Sequence, residues 1–344
     1  MDGVRFEFVR DEDKMSALAG EWNALLSQSV TDVPFLRHEF LKTWWSTLGG
    51  GEWSEAELRI GVARDDADHL LGLAPFFRAR TIDDRNGLLL LGSIEISDYL
   101  DLIVSEALVE PFVAQLLQEL ARLPMQDWEV IDLYNVPEES ITLGGLRSAA
   151  EKLGWRVMQT RFRPCPVLEL PADWEAYLGG LDKKQRHELR RKMRRAADLP
   201  EEVQWRIVGA DGDIERAADD FLRLMALDER KAAFLTPIMQ TQIRRSMLAA
   251  HSSGWLQLAV LEIGGRMAAG YLNFDYRKRL WVYNSFVDPA YFGSSPGWVL
   301  LGHIIRWAIE DGRQEVDFLR GGEQYKYQLG GRDRFVCRMT IERG

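Results

Sequence analysis

The strongest constraint on the fold is that the chain carries one module twice. Leu58-Arg59-Ile60-Gly61-Val62 lies over Leu256-Gln257-Leu258-Ala259-Val260, and the same shift of 198 brings Gly72 onto Gly270 and Phe76 onto Phe274. Upstream, Phe35-Leu36 falls on Phe234-Leu235 at a shift of 199. Downstream, at 185, Pro111 meets Pro296 and residues 129–133 meet 314–318. Three blocks in one order argue for duplication. The 344 residues then divide into two domains, expected at 1–164 and 165–344, each long enough to bury its own core.

Apolar and charged residues make up 46% and 28% of the chain, the balance of a folded soluble protein, and no apolar run approaches the length of a membrane span. Acidic residues at Asp2 and Glu7 stand where a secretory leader has a basic, then apolar, stretch, so a cytoplasmic location is expected. Cys165 and Cys337 lack paired spacing and the five histidines are scattered, so neither a disulfide framework nor a bound metal is expected. A net charge of −10 disfavours nucleic-acid binding over the whole surface. One segment departs from this: from Asp182 to Arg195, eight Lys or Arg residues face two carboxylates, a local +6 that leaves −16 for the rest. Its thin apolar stripe of Leu178, Leu181, Leu189 and Met193 leaves most of the predicted helix polar. A solvated helix is one reading. A polyanionic partner is the other: the phosphates of a cofactor, a lipid-linked acceptor, an anionic membrane surface, or tRNA. Lys183, Arg186 and Arg190 share one face and are the expected contacts.

Hydrophobic periodicity predicts the same plan in both copies, helices followed by an antiparallel run of strands, a helix and a further strand. In the first copy, Tyr99 to Val104 reads as a strand carrying Asp98 and Asp101 at its start, unfavourable residues there unless the strand borders a polar cleft. In the second, Ile214 to Arg230 reads as one helix and Gly264-Gly265 as a hairpin turn. The class is α/β (α+β): two tandem domains, each a mixed, mostly antiparallel central sheet flanked by helices.

The copies diverge chemically just before the shared proline. The first reads Ser105-Glu106-Ala107-Leu108-Val109-Glu110, the second Phe292-Gly293-Ser294-Ser295. Carboxylates repel a pyrophosphate, whereas small residues leading into a helix expose amides that bind one. Pro296 suits the first helical position and Ser295 the N-cap. Gly293, Ser294, Ser295, Pro296 and Gly297 are therefore the candidate anion cradle. Trp281 and Tyr283, on the strand leading to it, are candidates to line a channel.

The order strand, small-residue loop, helix, strand resembles the GNAT acyltransferases, whose helix after a splayed central strand holds the pyrophosphate of acyl-CoA. The run Asp317-Phe318-Leu319-Arg320-Gly321-Gly322-Glu323-Gln324-Tyr325-Lys326, with Ser97-Asp98-Tyr99-Leu100-Asp101 and Leu73-Ala74-Pro75-Phe76, is similar to the CelD-like tandem GNAT branch, related to the FemAB peptidyltransferases. Ser-Ser-Pro-Gly stands in place of the usual pyrophosphate signature. The resemblance implies acyl transfer, with acyl-CoA or acetyl-CoA as co-substrate and an amine as acceptor, either a small molecule or lipid-linked. It implies Tyr325 as the acid that protonates the leaving thiolate, with Tyr327 as fallback. Glu323 or Asp101 is the candidate base, Lys326 would orient an acceptor carboxylate or phosphate, and Asp98 and Asp101 would face an acceptor pocket. Two alternatives stay open: an aminoacyl-tRNA-dependent transferase, and a non-catalytic accessory protein of polysaccharide synthesis.

Overall fold

A computed structural model describes residues 4–209 and 212–343. The chain forms two compact units, Met1–Pro164 with Arg334–Gly344, and Cys165–Asp333. The last strand, expected in the second domain, thus belongs to the first unit.

The first unit runs β1 (Arg5–Val9), α1 (Glu12–Ala17), α2 (Ala19–Leu26), α3 (His38–Leu48), β2 (Ser54–Leu58), β3 (Ile60–Arg64), β4 (Leu70–Ala74), β5 (Phe76–Arg80), β6 (Asn86–Leu90), β7 (Ile103–Val104), α4 (Val109–Arg122), β8 (Val130–Pro137), α5 (Ile141–Lys152) and β9 (Arg156–Glu169), whose last residues enter the second unit. One sheet is ordered β1-β3-β4-β7, and β8, β6, β5 and β2 line up in the other. The strand predicted from Tyr99 pairs only at Ile103–Val104. Its earlier amides are bonded elsewhere: Leu100 N–H donates to the Asn135 carbonyl at 2.9 Å, and Leu102 N–H to the Asp101 carboxylate at 2.8 Å. A side chain that captures the local backbone competes with a ladder, and here it wins.

The second unit continues with α6 (Trp174–Gly180), α7 (Lys183–Ala197), β10 (Val203–Ile207), α8 (Ile214–Met225), α9 (Glu229–Phe234), α10 (Pro237–Ser252), β11 (Leu256–Ile263), β12 (Arg266–Tyr276), β13 (Arg279–Val287), α11 (Pro296–Glu310), β14 (Glu315–Asp317) and α12 (Gln324–Gln328), before β15 (Arg332–Glu342) returns to the first. Its sheet is ordered β10-β11-β12-β13-β14-β9, antiparallel except for β13 and β14. The single helix expected over 214–230 is two, because Asp228 recaps the chain, its carboxylate accepting from the amides of Arg230 and Lys231. The apolar stripe of α11 (Val299, Leu300, Ile304, Ile305, Ala308) packs on the sheet against Ala259, Leu261, Ala269 and Leu280, and Leu189 of α7 joins the same core. No helix among the described residues is long and apolar enough to cross a membrane.

Candidate active site

The site arises where two parallel strands part. β13 and β14 pair from Arg279 and Glu315 only as far as Trp281 and Asp317. There Asp317 turns the chain aside: its carboxylate accepts the Leu319 amide at 2.7 Å, and Leu319 takes a left-handed φ of 59°. β13 continues to Val287 without β14, still paired on its other side with β12. A cavity of about 420 Å³ opens between the end of β13, the first turn of α11, and α12.

Val287, Leu301 and Leu329 give it apolar walls, Tyr271 and Tyr325 reach into it, Phe292 stands at its rim, and Lys192 of α7 lies over the Trp298 ring at 4.1 Å. The last contact is a cation–π pair that also holds a positive charge on the cavity wall. Ser295, Pro296 and Gly297 complete the lining. Ser295 sits at the N-cap as expected but is left-handed (φ 55°) and makes no side-chain cap. Its carbonyl accepts from Trp298 and Val299, which leaves the Gly297 amide without an acceptor among the described residues. Gly297 is also a close approach: a Cβ there would sit 2.8 Å from Val287 Cγ2 and 3.8 Å from the Tyr271 hydroxyl. The cradle is therefore narrower than the sequence implied. Gly293 and Ser294 do not line it, and the Ser294 hydroxyl is bonded to the Tyr291 carbonyl at 2.8 Å.

Neither the Tyr271 nor the Tyr325 hydroxyl is hydrogen-bonded among the described residues. Burial raises the pKa of both phenols above the usual tyrosine value, with the Glu323 carboxylate adding to it for Tyr325 and the neighbouring Tyr325 for Tyr271. They are proton donors at neutral pH. Tyr327 is spoken for, donating to Asp333 at 2.7 Å, a bond that pushes its pKa up to about 12. Glu323 is exposed and paired with Lys326 Nζ at 2.9 Å.

Four expectations are corrected by their surroundings. Lys326 is 3% exposed, with Nζ donating to the carbonyls of Leu319 (3.1 Å), Arg320 (2.8 Å) and Gly321 (3.0 Å), so it pins the turn after β14 and has no free side for an acceptor. Asp101 is 1% exposed and its carboxylate accepts from Thr31 (2.6 Å), Ser140, Thr142 and Leu102; burial raises its pKa against those bonds, and it is a buried hub of the first unit. Asp98, three residues earlier, is buried as well, and neither carboxylate lines the α11 cavity. Of the expected cofactor contacts on α7, Arg186 donates to the carbonyls of Leu178 and Gly179 at the end of α6, Arg190 pairs with Glu175 at 2.8 Å, and Lys183 is exposed; none lines the cavity. Trp281 is buried with its indole N–H on the Tyr276 carbonyl, and Tyr283 stacks on Phe274, so neither lines it.

Sequence reasoning missed Lys192, Tyr271 and Lys231. Lys231, placed by the Asp228 cap, sends Nζ to the stretch of β13 that β14 has left, where it meets the carbonyl and, at 3.3 Å, the hydroxyl of Ser285, the residue opposite Tyr271 on β12. Burial lowers its pKa, while the charges of Asp228 and Glu323 oppose that shift. The overlooked signal lay in the duplication: Tyr271 stands where the first copy has Leu73, and Gly297 where it has Phe112. Phe112 is fully buried, its ring filling the space a Cβ on Gly72 would need, at 2.5 Å. In the second copy Gly270, the counterpart of Gly72, is covered by the Phe286 ring instead, and Gly297 lets the start of α11 lie close against Val287.

Residues 183–327 match the family model described as an acetyltransferase (GNAT) domain. The fold is that of a tandem GNAT protein. It is shared with FemX (TM-score 0.65, 12% identity, 97% of this chain and 96% of that one). It is shared too with the C-terminal DUF2156 domain of a putative lysylphosphatidylglycerol synthetase from Agrobacterium fabrum (0.56, 12%, 97% and 93%) and a tandem GNAT protein from the clavulanic acid biosynthesis pathway (0.50, 14%, 97% and 98%). No curated protein matches the chain.

Proposed function

We propose that the protein is an N-acyltransferase that takes its acyl group from acyl-CoA at the α11 cavity and delivers it to an amine of a polar or cell-envelope-related acceptor. The observation that carries this reading is an apolar cavity at a strand splay with an unbonded helix-terminal amide at one side and two unbonded, protonated phenols inside it. The Gly297 amide and Lys192 supply positive potential for the diphosphate. Val287, Leu301 and Leu329 offer an apolar wall to the pantetheine arm.

In the transfer the acceptor nitrogen forms a bond to the acyl carbon as the carbon–sulfur bond breaks. The ammonium proton goes to Glu323, whose charge reaches both Lys231 and Tyr325. The departing sulfur takes the Tyr325 proton, with the Tyr271 hydroxyl alongside. Removing water from such a site strengthens each of these interactions.

The similarity to FemX supports the alternative in which the donor is aminoacyl-tRNA. A screen of acyl-CoA thioesters against an amine library, read as thiol release, separates the two. Amine-dependent thiol release is expected. Transfer from aminoacyl-tRNA with no thiol release from any thioester would replace this reading by the alternative.

A further inference from the structure

The positive charge of α7 is not used by the cavity, Lys192 excepted. Leu189 and Ala196 bury one side of the helix. At 100° per residue the opposite side carries Lys183, Lys184, His187, Arg190, Arg191, Arg194 and Arg195, all exposed. The helix spans about 22 Å at 1.5 Å per residue, and this outer side holds no carboxylate. Glu188 lies on its flank and pairs with Arg191 at 2.8 Å, and Arg190 reaches Glu175 on α6. Such exposed pairs are weak and exchange readily for another anion. Lys183, Lys184, Arg194 and Arg195 make no ion pair among the described residues. Like charges at this density repel one another along the helix, and they do so on a chain whose remainder is strongly acidic.

An apolar feature lies beside the basic face. The 3-10 turn Pro289–Ser294 packs against α7 and presents Phe292, 62% exposed, at the rim of the cavity that Lys192 also lines. Phe292 and Lys192 thus meet at the cavity mouth, Lys192 on the helix that carries the basic face.

We propose that the outer face of α7, with Phe292 beside it, docks the protein on an anionic lipid surface. The helix offers its cations over one outward side, which a flat layer of phosphate headgroups meets, and a ring at the cavity rim enters the boundary between headgroups and acyl chains. Nucleic acid would meet the same charges and stack a base on the ring, but the −16 carried by the rest of the chain opposes a polynucleotide that extends past this face, whereas a flat surface meets the face alone. Docking opens the cavity mouth toward the lipid, so that amphiphilic substrates arrive from the membrane plane. The proposal does not depend on which donor the cavity takes.

The test is sedimentation of the full chain with vesicles of phosphatidylcholine alone and of phosphatidylcholine and phosphatidylglycerol in equal proportion, at low and high salt. Binding to the mixed vesicles alone is expected, lost at high salt because exposed charges are screened. The double variant Lys184→Glu, Arg194→Glu should weaken it at least tenfold with an unchanged melting temperature; should that variant not fold, Lys184→Gln, Arg194→Gln replaces it with a smaller loss expected. Phe292→Asp should weaken binding while leaving its salt dependence. Equal binding to both vesicle types, no binding by the parent protein, or full binding by the charge variants would overturn the proposal. So would a tRNA complex lost in the same variants while no form of the protein sediments with vesicles.

Discussion

Lys326 shows how little a residue's charge says about its use. Its ammonium is enclosed by three carbonyls and the Glu323 carboxylate, all within the turn that moves the chain from β14 to α12 and so aims Tyr325 into the cavity. Replacing it by Met leaves those carbonyls unpaired in a buried site, which costs about 3 kcal/mol. The melting temperature of Lys326→Met should fall by several degrees, and an unchanged value would mean that the turn holds without it. Tyr325 is the opposite case, a half-buried side chain with an unused donor. Tyr325→Phe should lower turnover at least tenfold with donor affinity unchanged. Because burial raises the phenol pKa, its proton stays on beyond the usual value of about 10, so turnover should not fall through that range on account of this group. An alkaline limb near that value that disappears in Tyr325→Phe would show an ordinary phenol and refute the burial argument. At this scale the family resemblance singled out Tyr325 in a short motif, and the chain places that side chain in the cavity. The sequence was illegible where neighbours decide the role. Nothing local to Lys326 or Asp101 announces that backbone carbonyls or three hydroxyls will surround them, since those partners are brought together by turns and by distant segments.

Among the elements, α11 and its sister α4 show the same helix put to two uses. The repeat alignment places Phe112 of α4 where α11 has Gly297, and the consequence is steric before it is electrostatic. In α4 the ring lies flush on the sheet at Gly72, and Glu110 occupies the first turn. In α11 the glycine lets the helix start lie close against Val287, where a Cβ would come within 2.8 Å, and it lines the cavity. Gly297→Val should therefore cost at least tenfold in CoA affinity, measured by calorimetry, because a branched side chain enters the cavity and meets Val287. Retained affinity would show that the anion is held elsewhere. Most helices and the β11–β12 hairpin were readable from periodicity and turn residues. The exceptions share a cause. The strand expected from Tyr99 gave one amide to the Asp101 carboxylate and another to the Asn135 backbone carbonyl, and the helix expected through Arg230 was recapped by the Asp228 carboxylate, so each exception involves a single polar side chain that pattern reading averages away. The cofactor face of α7 was misjudged for a related reason. Periodicity identifies which residues share a face and is silent on which face meets α11.

For the whole molecule, duplication fixed the number of units from sequence alone, and comparing the copies position by position also holds the information about which can bind. In the first copy Phe112 is packed and Asp101 buried, while in the second the first turn of α11 lines a cavity. The most direct measurement is the stoichiometry of CoA binding to the intact chain by isothermal titration, with Gly297→Val as the control. One CoA per chain, abolished or severely weakened in that variant, is the expected result. Two per chain, none at all, or one that persists in Gly297→Val would contradict a single site at the start of α11.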